Sequence, residues 1–143
     1  MIVKDVMNSQ VETIKAEQSA KDAAIKMVEK GIGSLIVVDG SKLEGIVTRD
    51  DIMHKIIAAG KAPAAIKVKN IMTKNVIMVS PMDELDYIVD VMKTKKIKKL
   101  PVVEGDQLIG IVTSTDICNA EPNMLKELSE ILLLPREKKV VAG

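Results

Sequence analysis

The sequence predicts an α/β fold in which two β-α-β-β-α repeats pack as a pseudo-two-fold pair, followed by a C-terminal helix. Three observations carry this expectation. The first is an internal repeat. Shifted by 65 positions, residues 3–53 align with 68–118 without a gap, and 18 of the 51 pairs are identical, a self-similarity that chance does not supply. The second is the regular change, within each copy, between helical-period stretches and short continuous apolar runs. The third is size and composition: 143 residues, 47% hydrophobic, nine methionines, one tyrosine, and no phenylalanine or tryptophan. That length suits one compact body or two very small halves, and excludes a barrel of about 250 residues. The core must therefore be aliphatic and methionine-based.

The elements follow in chain order. Residues 11–14, and 76–79 in the second copy, read as short strands. Ser19 is placed to cap a helix whose apolar positions Ala20, Ala23, Ala24, Met27 and Val28 fall at i, i+3, i+4, i+7 and i+8. Gly31 stops it. Copy two keeps the stripe at Leu85, Ile88, Val89 and Met92, with Asp83 as the expected cap. The apolar run 35–38, the Asp39-Gly40 turn and residues 43–47 read as a hairpin. A second helix starts near Thr48 or Asp50 and runs towards Ile57. Gly60 and Pro63 break the helical pattern at the joint, giving boundaries of 1–60 and 61–120 for the copies. In 121–143, Glu121-Pro122 opens a helix carrying Met124, Leu125, Leu128, Ile131 and Leu132 at helical spacing, followed by a charged cluster at 136–139. That helix is expected either to cover its own copy or to make a dimer contact.

Composition also limits function. With 21 basic and 20 acidic residues the formal charge is +1, far from the basic excess of a general nucleic-acid binder. The missing aromatics remove base-stacking platforms. No apolar run approaches the roughly 20 residues of a membrane-spanning helix, and residues 1–5 do not open a secretory signal. Cys118, the one cysteine, is read as a structural thiol in a reducing compartment, so the expected location is cytoplasmic. His54 has no metal-ligand neighbour at suitable spacing, and Tyr87 reads as a packing or surface residue. No carboxylate pair, triad or metal cluster speaks for an enzyme.

The densest match between the copies is Gly45-Ile46-Val47-Thr48-Arg49-Asp50-Asp51-Ile52 against Gly110-Ile111-Val112-Thr113-Ser114-Thr115-Asp116-Ile117. A duplicated unit ending in Gly-Ile-Val-Thr-x-x-Asp-Ile resembles the cystathionine-β-synthase (CBS) domain, which is used in pairs as a Bateman module. Leu100-Pro101-Val102-Val103 is similar to that family's Leu-Pro-Val-Val segment, and copy one departs by having Ile36 for the proline. The resemblance spans residues 2 to about 120. It implies a non-catalytic regulatory pair, assembled as a disc-like homodimer. It further implies an adenosine-containing ligand (AMP, ADP, ATP or S-adenosylmethionine) in clefts between the copies, and a regulated enzyme or transporter as partner. A stand-alone sensor or small regulatory subunit is the expectation. The competing reading is a structural or interaction module whose clefts stay empty.

Thr-x-x-Asp at a strand-to-helix junction offers a carboxylate for a ribose diol and hydroxyls and N–H groups for phosphate. It equally fits a helix capping box, and from the residues alone both readings stand. By the resemblance, one cleft combines Ile111, Thr113, Thr115 and Asp116 with Lys98 and Lys99, and with Ala20, Ile32 and Ser34 of copy one. The other has Ile46, Thr48, Arg49 and Asp51, facing Leu85, Ile97 and Lys99. Its counterparts of Lys98 and Lys99 are Gly33 and Ser34, and Asp50 replaces Thr115. The Asp116 cleft is therefore expected to be the better nucleotide site. The lysines at 93, 95, 96, 98 and 99 suit a solvated helix end, phosphate contact by Lys98 or Lys99, or an RNA or membrane surface.

Overall fold

The computed structural model describes residues 1–132; the charged cluster expected at 136–139 lies outside them. Copy one contains β1 (Thr13–Lys15), α1 (Ala20–Lys30), β2 (Ser34–Asp39), β3 (Lys42–Thr48) and α2 (Arg49–Ile52), which continues as a π-helical turn over Met53–Ile57. Copy two contains α3 (Leu85–Lys95), β4 (Lys99–Glu104), β5 (Gln107–Thr113) and α4 (Ser114–Ala120), followed by α5 (Leu125–Leu132). The sheet order is β1-β2-β3-β5-β4. β1 runs parallel to β2, while β2/β3, β3/β5 and β5/β4 are antiparallel.

Local chemistry explains most of these boundaries. Ser19 Oγ accepts the Asp22 N–H at 3.1 Å, and the Asp22 carboxylate reaches back to the Ser19 N–H at 3.4 Å, a reciprocal cap. Gly31 ends α1 with φ +65°, where a residue without Cβ meets no steric penalty. Its repeat mate Lys96 ends α3 at φ 56°, so a side chain sits in a conformation that favours glycine.

The copies exchange their leading segments. Val3 packs into the copy-two core with Leu85, Ile88 and Met92, whereas Val68 packs into the copy-one core with Ala23, Met27 and Ile56. The backbone repeats the trade: Val3 N–H donates to Asp83 O at 2.9 Å and Lys4 N–H to Pro81 O at 2.9 Å, while Val68 N–H donates to Gln18 O at 2.8 Å and Lys69 N–H to Ala16 O at 3.0 Å. Each donor and acceptor in the second set lies 65 positions after its counterpart or before it, as a pseudo-two-fold requires. Neither copy can complete its core alone. The expectation of one pseudo-symmetric body is met through this exchange.

Three readings need correction. The first strand is 13–15 rather than 11–14, and its copy-two counterpart is reduced to a single bridge between Val79 and Val102. Pro81, two residues on, cannot donate to a ladder. Asp83 does not cap α3: it accepts the Ser80 N–H at 2.8 Å, and Glu84 takes the cap position with no side-chain bond. Val28 leaves the core stripe and is 81% exposed. Of the two expectations for the C-terminal helix, the structure meets the first: it covers its own copy, with Leu128 and Ile131 buried among Ile88, Met92 and Ile117.

Candidate functional site

Two reciprocal caps stand where β3 and β5 run into their helices. Thr48 Oγ1 accepts the Asp51 N–H at 3.1 Å, and Asp51 Oδ2 accepts the Thr48 N–H at 2.9 Å. Thr113 Oγ1 accepts the Asp116 N–H at 3.1 Å, and Asp116 Oδ2 accepts the Thr113 N–H at 3.1 Å. The capping geometry is therefore present in both copies. It consumes one oxygen of each carboxylate and decides nothing about the other.

The second oxygens differ. Asp51 Oδ1 pairs with Lys55 Nζ at 2.9 Å, and Oδ2 also takes the Thr48 hydroxyl at 3.2 Å. Lys55 is held in turn by Ile71 O at 2.8 Å. Asp51 is 9% exposed and internally satisfied. In copy two the position of Lys55 is Ala120, which carries no charge. Asp116 is half-buried, and among the described residues its Oδ1 takes no hydrogen bond or ion pair. Lys55 was missed from sequence, although its i+4 spacing from Asp51 marks a helix ion pair.

The strand registers bring the two caps to one end of the sheet. Ser34 pairs with Thr48, and Lys99 with Thr113. Lys99 Nζ then donates to Ser34 Oγ across the copies at 3.4 Å. Arg49 lies against Gly33, where a Cβ would stand 2.8 Å from Nη2. Arg49 N–H donates to Gly33 O at 2.9 Å, and its repeat mate Ser114 N–H donates to Lys98 O at 2.8 Å. Gly33, Ser34, Thr48 and Arg49 of copy one and Lys98, Lys99, Thr113 and Ser114 of copy two thus hold equivalent positions, joined across the copies by the Ser34–Lys99 contact. Thr115 is exposed in the first turn of α4.

Other expected contacts fall elsewhere. Ala20 has no exposed surface, and its N–H is spent on Ile66 O at 2.8 Å. Leu85 and Ile97 belong to the copy-two core. Ile32 lines a groove between α1 and α2. Ile46 is buried, while Ile111 is half-buried. Both are crossed by the other copy's leading segment: Asn8 exchanges two backbone bonds with Ile111 (2.8 and 2.9 Å), and Thr73 two with Ile46 (2.8 and 3.0 Å). This crossing explains the glycine before each isoleucine. A Cβ on Gly45 would meet Thr73 O at 2.5 Å, and one on Gly110 would meet Asn8 O at 2.9 Å.

Among the described residues, Glu17 and Cys118 are perturbed outside this junction. Glu17 receives Lys67 at 2.7 Å and Lys69 at 2.9 Å, and these hydrogen-bonded cations hold its carboxyl down to about 2. Burial pushes the Cys118 thiol up, which disfavours the reactive thiolate. No group of three or more His, Cys, Asp or Glu able to hold a metal occurs among the described residues. No helix among them is long and apolar enough to cross a membrane.

The family model for the CBS domain matches residues 3–58 and again residues 68–123, one match per repeat. The chain belongs to the CBS-domain family. Similar proteins include an uncharacterized protein of Methanopyrus kandleri, 35% identical over 130 residues, covering 90% of this chain and 66% of that one. An inosine-5′-monophosphate dehydrogenase of Korarchaeum cryptofilum is 39% identical over 117 residues, covering 81% of this chain and 22% of the enzyme. The chain thus spans just under two thirds of the first relative and about a fifth of the second. Among solved structures, the CBS domain pair of protein MJ0100, in complex with 5′-methylthioadenosine and S-adenosyl-L-methionine, aligns with a TM-score of 0.71 at 30% identity. The alignment covers 86% of this chain and 97% of that one.

Proposed function

We propose that this CBS pair is a non-catalytic sensor that binds an adenosine-containing ligand in the copy-two cleft and regulates a partner through that binding. The observation that carries the reading is the open oxygen of Asp116, set against the internally satisfied Asp51. A carboxylate with one free oxygen beside a helix start is suited to accept a ribose hydroxyl, and a charge-assisted bond of that kind is the stronger class. Thr113 and Thr115 add hydroxyls. Lys98 and Lys99 add positive charge at the junction, which suits the phosphate of AMP, ADP or ATP or the carboxylate of S-adenosylmethionine.

The complex of the MJ0100 pair supports adenosine chemistry in this family. The match within a much longer dehydrogenase supports the regulatory half, since there a segment like this one is part of an enzyme chain. Base recognition is the weaker half of the site: Tyr87 is the one aromatic residue of the chain, and adenine would lie against Ile32, Ile111 and backbone. Binding shifts a partner or two-chain equilibrium only to the extent that the ligand prefers one state. A thermal-shift panel of AMP, ADP, ATP, S-adenosylmethionine and 5′-methylthioadenosine tests this. A ligand at 100 times its dissociation constant adds about 2.7 kcal/mol of stability, and a folded sample that no member shifts overturns the reading.

A further inference from the structure

Copy one places an ammonium where copy two has none. Lys55 lies on the π-helical turn over Met53–Ile57, a turn that α4 lacks. Its Nζ pairs with Asp51 Oδ1 at 2.9 Å and donates to Ile71 O at 2.8 Å, so it joins α2 to the leading segment of copy two. An ammonium carries three donors, and two are spent on these oxygens. The repeat mates of the two acceptors are Asp116 and Val6. Val6 and Ile71 each close a 3₁₀ turn with matching backbone angles, φ -123° and ψ -13° at Val6, φ -123° and ψ -12° at Ile71. Their carbonyls therefore hold equivalent places in the two copies. The residue equivalent to Lys55 is Ala120, exposed and too short to reach either oxygen. Among the described residues, no side chain bridges Asp116 Oδ1 and the Val6 carbonyl.

We propose that Lys55 is a built-in occupant of the copy-one cleft and limits the chain to one ligand. Its ammonium makes the two bonds that the ribose hydroxyls of an adenosine compound make to Asp116 and the Val6 carbonyl in copy two. The donors match: a ribose diol offers two O–H groups, and a carboxylate oxygen beside a carbonyl accepts both, as the copy-one pair accepts two N–H groups of Lys55. The Lys55 side chain is 48% exposed, so the ion pair adds little to stability. Its effect is on occupancy. A tethered group competes at the roughly millimolar effective concentration of an intramolecular partner. A cleft open for about a tenth of the time binds about tenfold more weakly. This competition acts on every adenosine compound, with or without phosphate, and copy two escapes it through Ala120. The inference rests on the adenosine reading proposed above and assigns its stoichiometry.

Isothermal titration of the full chain tests it, with wild type, Lys55→Ala and Ala120→Lys each against 5′-methylthioadenosine, S-adenosylmethionine, AMP and ATP. Both substitutions fall at exposed positions, and circular dichroism is expected to be unchanged. The wild type is expected to take one molecule per chain of at least one compound. Lys55→Ala is expected to take two of that compound. Ala120→Lys, which sets an ammonium four residues after Asp116, is expected to bind it at least tenfold more weakly. A wild type that takes two molecules, a Lys55→Ala that stays at one, or an Ala120→Lys of unchanged affinity overturns the assignment of Lys55 and leaves the adenosine reading standing. Absence of binding by all three proteins overturns the adenosine reading, and the assignment falls with it.

Discussion

Lys99 donates to Ser34 at 3.4 Å, and these two residues hold the same position in the two repeats. Residues related by a two-fold meet their own counterparts only beside its axis, so this contact marks where the pseudo-two-fold passes. Lys42 and Gln107, paired between β3 and β5, are also repeat mates and mark it again. The same axis therefore organises the sheet and the junction. At Ser34 and Lys99 the symmetry is broken chemically, a hydroxyl facing a cation, and the two clefts cannot be equivalent.

The crossing of leading segments depends on the missing side chains at Gly45 and Gly110. Adding a methyl at Gly110 drives it to 2.9 Å from the Asn8 carbonyl, and at Gly45 to 2.5 Å from that of Thr73. Gly110→Ala is expected to cost about 1–3 kcal/mol, the usual penalty of overpacking, and Gly45→Ala more. Urea unfolding of both variants checks the amount and the order.

The two aspartates are expected to separate stability from binding. Asp51→Ala removes a cap, the Thr48 hydroxyl bond and the Lys55 ion pair, so its cost is expected at about 1.5–3 kcal/mol, the range for bonds to charged groups. Asp116→Ala loses one cap, about 0.5–2 kcal/mol. Chemical denaturation without ligand should rank Asp51→Ala as the more damaging.

Lys96 adopts φ 56° where its mate is Gly31 at φ 65°. A left-handed conformation costs a side-chain-bearing residue about 1–2 kcal/mol, offset in part by the chain entropy glycine gives up. Lys96→Gly is expected to raise stability by about 0.5–1 kcal/mol. Thermal unfolding reads the shift, and a loss of stability contradicts the account of this helix end.

Glu17 ties the start of copy two to copy one through Lys67 and Lys69. Its carboxyl is lowered from 4.5 to about 2, so the ionised form is favoured by folding. That contribution is full above about pH 4.5 and disappears as pH falls towards 2. Because the group is exposed, the effect is small and salt-sensitive. Glu17→Gln should lower the melting temperature at pH 7 and have much less effect at pH 2.

Much of this was legible in the sequence because the repeat reports itself. Ser19, Gly31, the Asp39-Gly40 turn and both Thr-x-x-Asp caps use local chemistry, and the structure holds them where the residues imply. What was not legible is what depends on tertiary geometry. Val28 sits on helical period yet faces outward, since periodicity does not say how wide the covered stripe is. The exchange of Val3 and Val68 leaves no local trace, because each reads as an ordinary apolar residue. Ala20, expected in the Asp116 cleft, lies in the copy-one core. The inequality of the two aspartates was expected from the missing lysines, whereas its structural basis is Lys55 on one side and Ala120 on the other.

The central claim is that Asp116 holds an adenosine ligand. Isothermal titration of the folded wild type and of Asp116→Ala with 5′-methylthioadenosine, S-adenosylmethionine, AMP and ATP tests it most directly. The expected result is binding of at least one of the four at one site per chain, weakened tenfold or more in Asp116→Ala, about 1.4 kcal/mol. Absence of binding by all four, or an affinity unchanged in Asp116→Ala, contradicts it.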